Sequence, residues 1–220
     1  MKTATTPVTR RVRNRALTCA AILEAVDTIL STEGLSKLGV NRVAELAGVS
    51  KVLIYRYFGG LDGLLVQYMQ QKQFFPYRQN KSEKQVFMEK NNFYVSCWTL
   101  LTTFHHIRHQ PQAVELIKAA TSEKQGLIGT VADALEEETM LFAEQLHFQE
   151  PIDEVAVRAL LIGAMNYMTL MAKLGRPVAG LDLTNERSWN RIEKAVVNIF
   201  EGLQTSPLSQ SEPQPTSLAA

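Results

Sequence analysis

The sequence contains few of the features that mark enzymes, metalloproteins or disulfide-bonded secreted domains. Its two cysteines, Cys19 and Cys97, are far apart and form no CxxC or metal-ligand spacing. It has no P-loop, no GxGxxG fingerprint and no GxSxG nucleophile elbow. We therefore expect no enzymatic activity, no cofactor and no metal site, and a reducing cytoplasm is the natural location for such a chain.

Long apolar runs without charges are also lacking. Arg10 and Arg11 precede an apolar run that superficially looks like an export signal, but Glu24 and Asp27 interrupt it. The apolar residues there recur every three or four positions, as in an amphipathic helix of a globular protein; they are Ile22, Ala25, Val26, Ile29 and Leu30. We expect no membrane-spanning segment.

Histidines offer the one hint of a metal site. His105 and His109 would share a helix face at the i, i+4 spacing that metal sites use. No HExxH arrangement surrounds them, and the sequence identifies no third ligand. Histidines near the end of a helix are the favoured interpretation, although the sequence leaves metal binding by this pair open.

The net charge of +1 conceals an asymmetry along the chain. Residues 1–75 contain ten Lys and Arg against five Asp and Glu, whereas the remainder contains thirteen against seventeen. The first part is therefore basic (+5) and the second acidic (−4). Because DNA is a dense negative polyelectrolyte, the N-terminal part is the one suited to face it.

Residues 38–58, LGVNRVAELAGVSKVLIYRYF, predict two short helices joined by a tight turn. The first helix has an apolar face at positions i, i+3, i+4 and i+7, formed by Val40, Val43, Ala44 and Ala47. Gly48 stands where a chain leaving a helix often turns left-handed, and Ser50 is a suitable N-cap for the second helix. Such a pair is a helix-turn-helix, whose second helix fits the major groove of DNA. An ordinary helical hairpin in a protein core is the alternative.

The run VAELAGVSKVLIYRYF, with an amphipathic helix before it and LDGLL after it, resembles the DNA-binding domain of the TetR family of transcriptional regulators. The positions that carry the resemblance are Ala44, Ala47, Gly48, Val49, Ser50, Tyr55 and Phe58. The resemblance covers roughly residues 18–68. It implies a homodimer that binds double-stranded DNA at a palindromic operator and responds to a small-molecule effector.

The second helix, expected from Lys51 to Phe58, should bury Ile54 and Phe58 and present a cationic, aromatic surface. The residues that we predict to contact DNA are Asn41, Arg42, Ser50, Lys51, Val52, Leu53, Tyr55, Arg56 and Tyr57. The chain departs from the family pattern at Gly39, Leu53 and Leu61, where the family usually has a hydroxyl residue, a small or polar residue and a lysine. These departures concern operator affinity rather than fold.

The rest of the chain reads as helical, with helices expected near residues 85–109, 112–124, 127–148, 152–174 and 186–204. The resemblance implies an effector cavity in this body. Apolar and methionine side chains suit such a site, and our candidates are Phe93, Cys97, Trp98, Leu101, Phe104, Met140, Tyr167, Met168 and Met171. Ordinary core positions are the alternative for each of them.

The last two helices carry broad apolar faces, and TetR-like regulators dimerise through their last two long helices. We predict dimer contacts at Leu160, Gly163, Leu170, Leu174, Trp189, Ile192, Val196, Ile199 and Phe200. Burial within a single chain is the alternative explanation of this pattern.

The sequence thus predicts an all-α protein in four parts. A flexible basic arm (1–15) precedes a three-helix helix-turn-helix domain (16–75), a helical effector-binding and dimerisation domain (76–204) and a disordered tail (205–220). The predicted function is a ligand-responsive transcriptional regulator, most often a repressor in such families. The alternative is an all-α binding or sequestration protein with a vestigial helix-turn-helix. The sequence identifies neither effector nor operator.

Overall fold

The computed structural model describes residues 7–72, 74, 92–122, 125–148 and 152–205, and these residues form nine α-helices and a short 3₁₀ turn but no strand. In chain order they are α1 (Pro7–Thr32), the 3₁₀ turn (Leu35–Lys37), α2 (Val40–Leu46), α3 (Lys51–Phe58), α4 (Leu61–Lys72), α5 (Asn92–Arg108), α6 (Pro111–Ala120), α7 (Leu127–Ala143), α8 (Glu154–Lys173) and α9 (Glu186–Thr205). The all-α prediction is confirmed.

The chain divides into two compact units. The first comprises residues 1–79 and 103–142, and therefore contains α1 to α4, the end of α5, α6 and α7. The second comprises residues 80–102 and 143–220, with the start of α5, α8 and α9. The domain boundaries drawn from the sequence stay a prediction, and the predicted tail beyond residue 205 lies outside the described residues.

The core of the first unit begins with the amphipathic stripe that the sequence predicted in α1. Ile22, Val26 and Ile29 are fully buried, as are Leu64 and Leu65 of α4. Helix α1 ends before Gly34, whose φ of 84° is accessible mainly to glycine. The backbone amide of Gly34 donates a hydrogen bond to the Ile29 carbonyl at 2.9 Å, and this bond closes the C-terminal end of the helix.

Helix α1 begins earlier than the sequence suggested. Residues 7–15 of the predicted flexible arm are helical. Pro7 stands at the first helical position, where its missing amide hydrogen costs nothing, and no glycine or second proline follows before the predicted start of the helix. The arginines in this segment are good helix formers, so the basic charge continues along the helix.

In the second unit, the broad apolar helix α8 is mostly uncovered. By length and composition alone α8 could cross a membrane, and 17% of its apolar window is buried within the protein. One such helix is weak evidence for a membrane span. A helix that is apolar around so much of its circumference needs cover on two sides. The protein's own chain covers the side that carries Leu161, Ile162 and Met165, which are buried.

Candidate nucleic-acid interface

The helix-turn-helix forms as the sequence predicted. Gly48 has a φ of 64°, and the amide of Val49 donates to the Ala44 carbonyl at 3.0 Å, so the turn is tight. Ser50 is the N-cap of α3, and its hydroxyl accepts a hydrogen bond from the Val52 amide at 3.4 Å. Gly59, with a φ of 78°, ends α3. Local sequence therefore determines both ends of this helix.

Helix α3 is anchored by the predicted inward pair, because Ile54 and Phe58 are buried. Its opposite side is exposed, with Val52 65% and Tyr55 56% accessible. Lys51 and Arg56 are also exposed, and neither forms an ion pair with any other described residue. The α3 surface therefore offers two cations, an aromatic ring and an apolar side chain to a partner.

Other predicted contact residues lie beside this surface. Asn41 of α2 is exposed, whereas Leu53 and Tyr57 of α3 are half-buried. The guanidinium of Arg15 lies over the Tyr57 ring, 5.2 Å from its centroid. This cation–π contact holds a basic residue of α1 next to the recognition helix, a neighbour relation that the sequence did not reveal.

Arg42 is engaged within the protein. Its guanidinium forms a two-oxygen contact with Glu33 (Nη2–Oε1 2.7 Å) and a second ion pair with Glu45 (Nη1–Oε2 3.1 Å). The hydrogen bond from Arg42 holds the pKa of Glu33 below its usual value and raises that of Arg42. Arg42 therefore fastens α2 to the end of α1, and its charge is already balanced by two carboxylates.

Helix α4 is held against α1 by a carboxylate. The Asp27 Oδ1 atom accepts a hydrogen bond from the Tyr68 hydroxyl (2.7 Å) and pairs with Lys72 Nζ (2.7 Å). Burial alone would raise the pKa of Asp27, but these donors outweigh it and hold the pKa below its usual value. Burial, reinforced by the Asp27 contact, raises the pKa of Tyr68. Both groups therefore keep the protonation states that this contact requires.

The predicted effector residues fall into two groups. Cys97 and Phe104 are buried and Leu101, Met168 and Met171 are half-buried, whereas Trp98, Met140 and Tyr167 are more than half exposed. The side chain of Phe93 lies outside the described residues. Burial, helped by the Glu201 carboxylate, raises the pKa of Cys97 to about 11, so its thiol stays protonated and unreactive.

The predicted dimer residues also divide by burial. The structure buries four of them within their own chain, namely Trp189, Ile192, Val196 and Phe200. Leu160, Gly163, Leu174 and Ile199 are exposed, and Leu170 is half-buried. The first four are core residues of the second unit, so only the others have surface available to a partner.

The histidines at the end of α5 interact with their own helix. His109 Nδ1 lies 2.6 Å from the His105 carbonyl oxygen, and the two rings are 4.5 Å apart. Burial, with the nearby His105, lowers the pKa of His106. Among the described residues, no group of three or more His, Cys, Asp or Glu side chains could hold a metal ion.

Comparison with known proteins agrees with this geometry. The family model for bacterial regulatory proteins of the tetR family matches residues 22–68, which include the helix-turn-helix. No protein of curated function matches the sequence. Among solved structures, the chain is similar to the fatty acid degradation regulator FadR from Bacillus halodurans, with 17% identity, a TM-score of 0.59 and coverage of 84% of this chain and 95% of that one.

A second similar structure is a protein from Rhodococcus sp. described as a TetR-family transcriptional regulator. It has 17% identity and a TM-score of 0.58, and the match covers 86% of this chain and 99% of that one. At such identities the structures show a shared fold, while the family match is specific to the helix-turn-helix. Residues 22–68 therefore form a DNA-binding domain of the tetR type, and the chain shares the fold of the two solved structures.

Proposed function

We propose that this protein is a homodimeric, effector-responsive repressor that binds a palindromic operator in the cytoplasm. The observation that carries the proposal is the exposed face of α3, where Lys51, Arg56 and Tyr55 stand on a buried Ile54–Phe58 base. Such a helix can enter a major groove with donors for base edges and phosphates. An effector that binds better to the conformation with wrongly spaced recognition helices would release the DNA.

The direct test is binding of the full-length protein to DNA from upstream of its own gene. Fluorescence anisotropy at several salt concentrations should give a linear fall of log affinity with log salt concentration. Lys51→Ala should weaken binding by about 1–3 kcal/mol if Lys51 reads a base, and all sequences equally if it contacts phosphate.

The charge-matched control for this test is Lys194→Ala, which removes an exposed cation of α9. Circular dichroism should be the same for the parent and both variants. Two results would favour the alternative of a binding protein with a vestigial helix-turn-helix. One is that the parent binds DNA with an affinity independent of salt, and the other is that Lys51→Ala and Lys194→Ala bind DNA equally well.

Support for a homodimer comes from the uncovered side of α8. Leu160 is 72% exposed, and the exposed Val155, Ala159, Gly163 and Tyr167 continue the same stripe at helical spacing. Contiguous exposed apolar surface of this kind marks an interaction site. Small residues in the stripe allow a second helix to approach closely, and exposed Ile199 of α9 offers a further apolar contact in the same unit.

Leu160→Glu should give a folded monomer in sedimentation experiments, because it places a charge on surface that only a partner would bury. Trp189→Glu, in contrast, should unfold the second unit, since Trp189 is 3% exposed and its indole donates to the Leu183 carbonyl at 2.9 Å. Leu160→Met serves as the conservative control. An intact dimer of Leu160→Glu would show that the subunits pair through another surface.

Support for an effector comes from two buried oxygens of the second unit. Thr99 Oγ1 and Asn166 Oδ1 are buried, and neither has a hydrogen-bond partner in the described part of the chain. Buried polar atoms are usually paired, so each is a candidate to bind a polar group of an apolar effector. Mass spectrometry of any compound retained on purification tests this directly.

Thr99→Val makes the effector test specific to one side chain. It replaces the hydroxyl by a methyl group of similar volume, so it should reduce retention of the compound without lowering the melting temperature. Unchanged retention would exclude Thr99 from the effector site.

A further inference from the structure

The exposed side of α3 is formed by side chains that share one face of the helix. Ile54 and Phe58 are buried and lie on the other side. At 3.6 residues per turn, the exposed residues span about 140° of the helix circumference. They are Lys51, Val52, Tyr55 and Arg56, and they form the reading face of α3. A partner that contacts this side of α3 therefore meets these four groups together.

The side chains of α3 limit which base edges the reading face can recognise. Residues 51–58 include no carboxylate and no carboxamide, the groups that read cytosine N4 and the N6 and N7 atoms of adenine. Lys51 and Arg56 can donate to the N7 and O6 atoms of guanine. Thymine presents a 5-methyl group in the major groove, which proteins read by apolar contact. An apolar side chain is therefore the group of this face best suited to identify an A·T pair.

Val52 is the apolar side chain of the reading face. It is 65% exposed, whereas Leu53 beside it is half-buried. Val52 lies in the first turn of α3, and in a helix-turn-helix the N-terminal residues of the recognition helix contact the base edges. A β-branched side chain has one strongly preferred rotamer in a helix, so the methyl groups of Val52 keep a fixed direction.

The surroundings of Val52 favour a base over a phosphate as its contact. Its backbone amide already donates to the Ser50 hydroxyl at 3.4 Å, and its side chain carries no charge that could neutralise a phosphate. At helical spacing Val52 lies between Tyr55 and Arg56 around the helix. These two polar side chains can hold the helix against the DNA, which leaves Val52 to contribute sequence information.

We propose that Val52 is a specificity-determining residue that reads a thymine of the operator through the 5-methyl group of that base. The inference rests on the proposed function, because it names a base that the recognition helix identifies. Lys51 and Arg56 supply affinity and donors for guanine, while Val52 supplies a preference for thymine at one position of each half-site. Burial of one methyl group changes affinity by about fourfold, which sets the size of this preference.

The test compares binding of the full-length protein to the upstream fragment synthesised with either thymine or uracil. Uracil pairs with adenine as thymine does and lacks only the 5-methyl group. In fluorescence anisotropy, the parent should bind the uracil fragment about fourfold more weakly for each half-site contacted. Two variants isolate the side chain, because Val52→Thr and Val52→Ser both carry a hydroxyl and differ by one methyl group. Val52→Thr should keep the preference for thymine, and Val52→Ser should lose it.

Lys51→Ala is the control for a general loss of affinity, since it should weaken binding to both fragments and keep the ratio between them. Circular dichroism should be the same for the parent and both Val52 variants, because Val52 is exposed. Equal binding of the two fragments by the parent would overturn the inference. An unchanged ratio in Val52→Ser would also overturn it and would assign the methyl contact to another residue, such as Leu53. If the parent binds neither fragment, the proposed function itself is wrong, and the inference falls with it.

Discussion

Replacing Asp27 by alanine should destabilise the protein by about 3 kcal/mol. Tyr68 is 1% exposed, so loss of its acceptor leaves a buried hydroxyl unpaired, at a cost of about 1–3 kcal/mol. The Lys72 ion pair adds at most about 1 kcal/mol, because its side chains are 44% and 25% exposed. The partly buried bond from Gln112 adds about 1 kcal/mol. For a chain of this size, the melting temperature should fall by about 6–12 °C.

Thermal melts of a double-mutant cycle test this reasoning. Tyr68→Phe alone should cost about 1 kcal/mol, because the carboxylate keeps its other two donors. In the double variant Asp27→Ala/Tyr68→Phe the buried hydroxyl is no longer left unpaired, so the combined loss should be smaller than the sum by about 1 kcal/mol. A melt of Asp27→Ala within about 1 °C of the parent, or strictly additive losses, would refute the assignment of Asp27 as the buried acceptor.

Three further predictions follow from individual side chains. Because the pKa of Asp27 is lowered on folding, its contribution to stability is present above the unfolded value of about 3.9 and disappears as the pH falls through the folded-state pKa. In urea titrations, the stability difference between the parent and Asp27→Asn should accordingly shrink below about pH 4. Arg42→Ala should lower the melting temperature but leave the salt slope of DNA binding unchanged; a fall of about 0.9 would mean that Arg42 contacts phosphate after all. Leu61 is half-buried at the start of α4. If this end of the helix approaches a phosphate, Leu61→Lys should raise the salt slope of DNA binding by about one unit. A lower melting temperature of this variant would instead show that Leu61 serves as a core residue.

The helix-turn-helix could be predicted from the sequence because its determinants are local. The left-handed glycine at Gly48, the Ser50 cap and the buried Ile54–Phe58 pair act within one or two helical turns. The observed bounds of α3, Lys51–Phe58, are those that the sequence predicted. The helices of the body were also predictable, since periodicity and the prolines and glycines between them are visible in the sequence.

Periodicity could not say which apolar faces are covered by the chain itself. Trp189 and Leu160 stand in equally regular apolar stripes, yet one is buried and the other is 72% exposed. A stripe shows that a face must be covered, while the covering element depends on how distant segments meet. For that reason four of the nine predicted dimer residues are buried in the core of the second unit.

By itself the sequence determined the all-α class, the position of the DNA-binding helices and the basic character of the half that contains them. Only the tertiary structure decided which polar groups are already engaged. Arg42 pairs with Glu33 across the end of α1, and Gln112 binds Asp27 from 85 positions away. Such contacts arise because separate helices meet in space, and no spacing within one helix encodes that meeting.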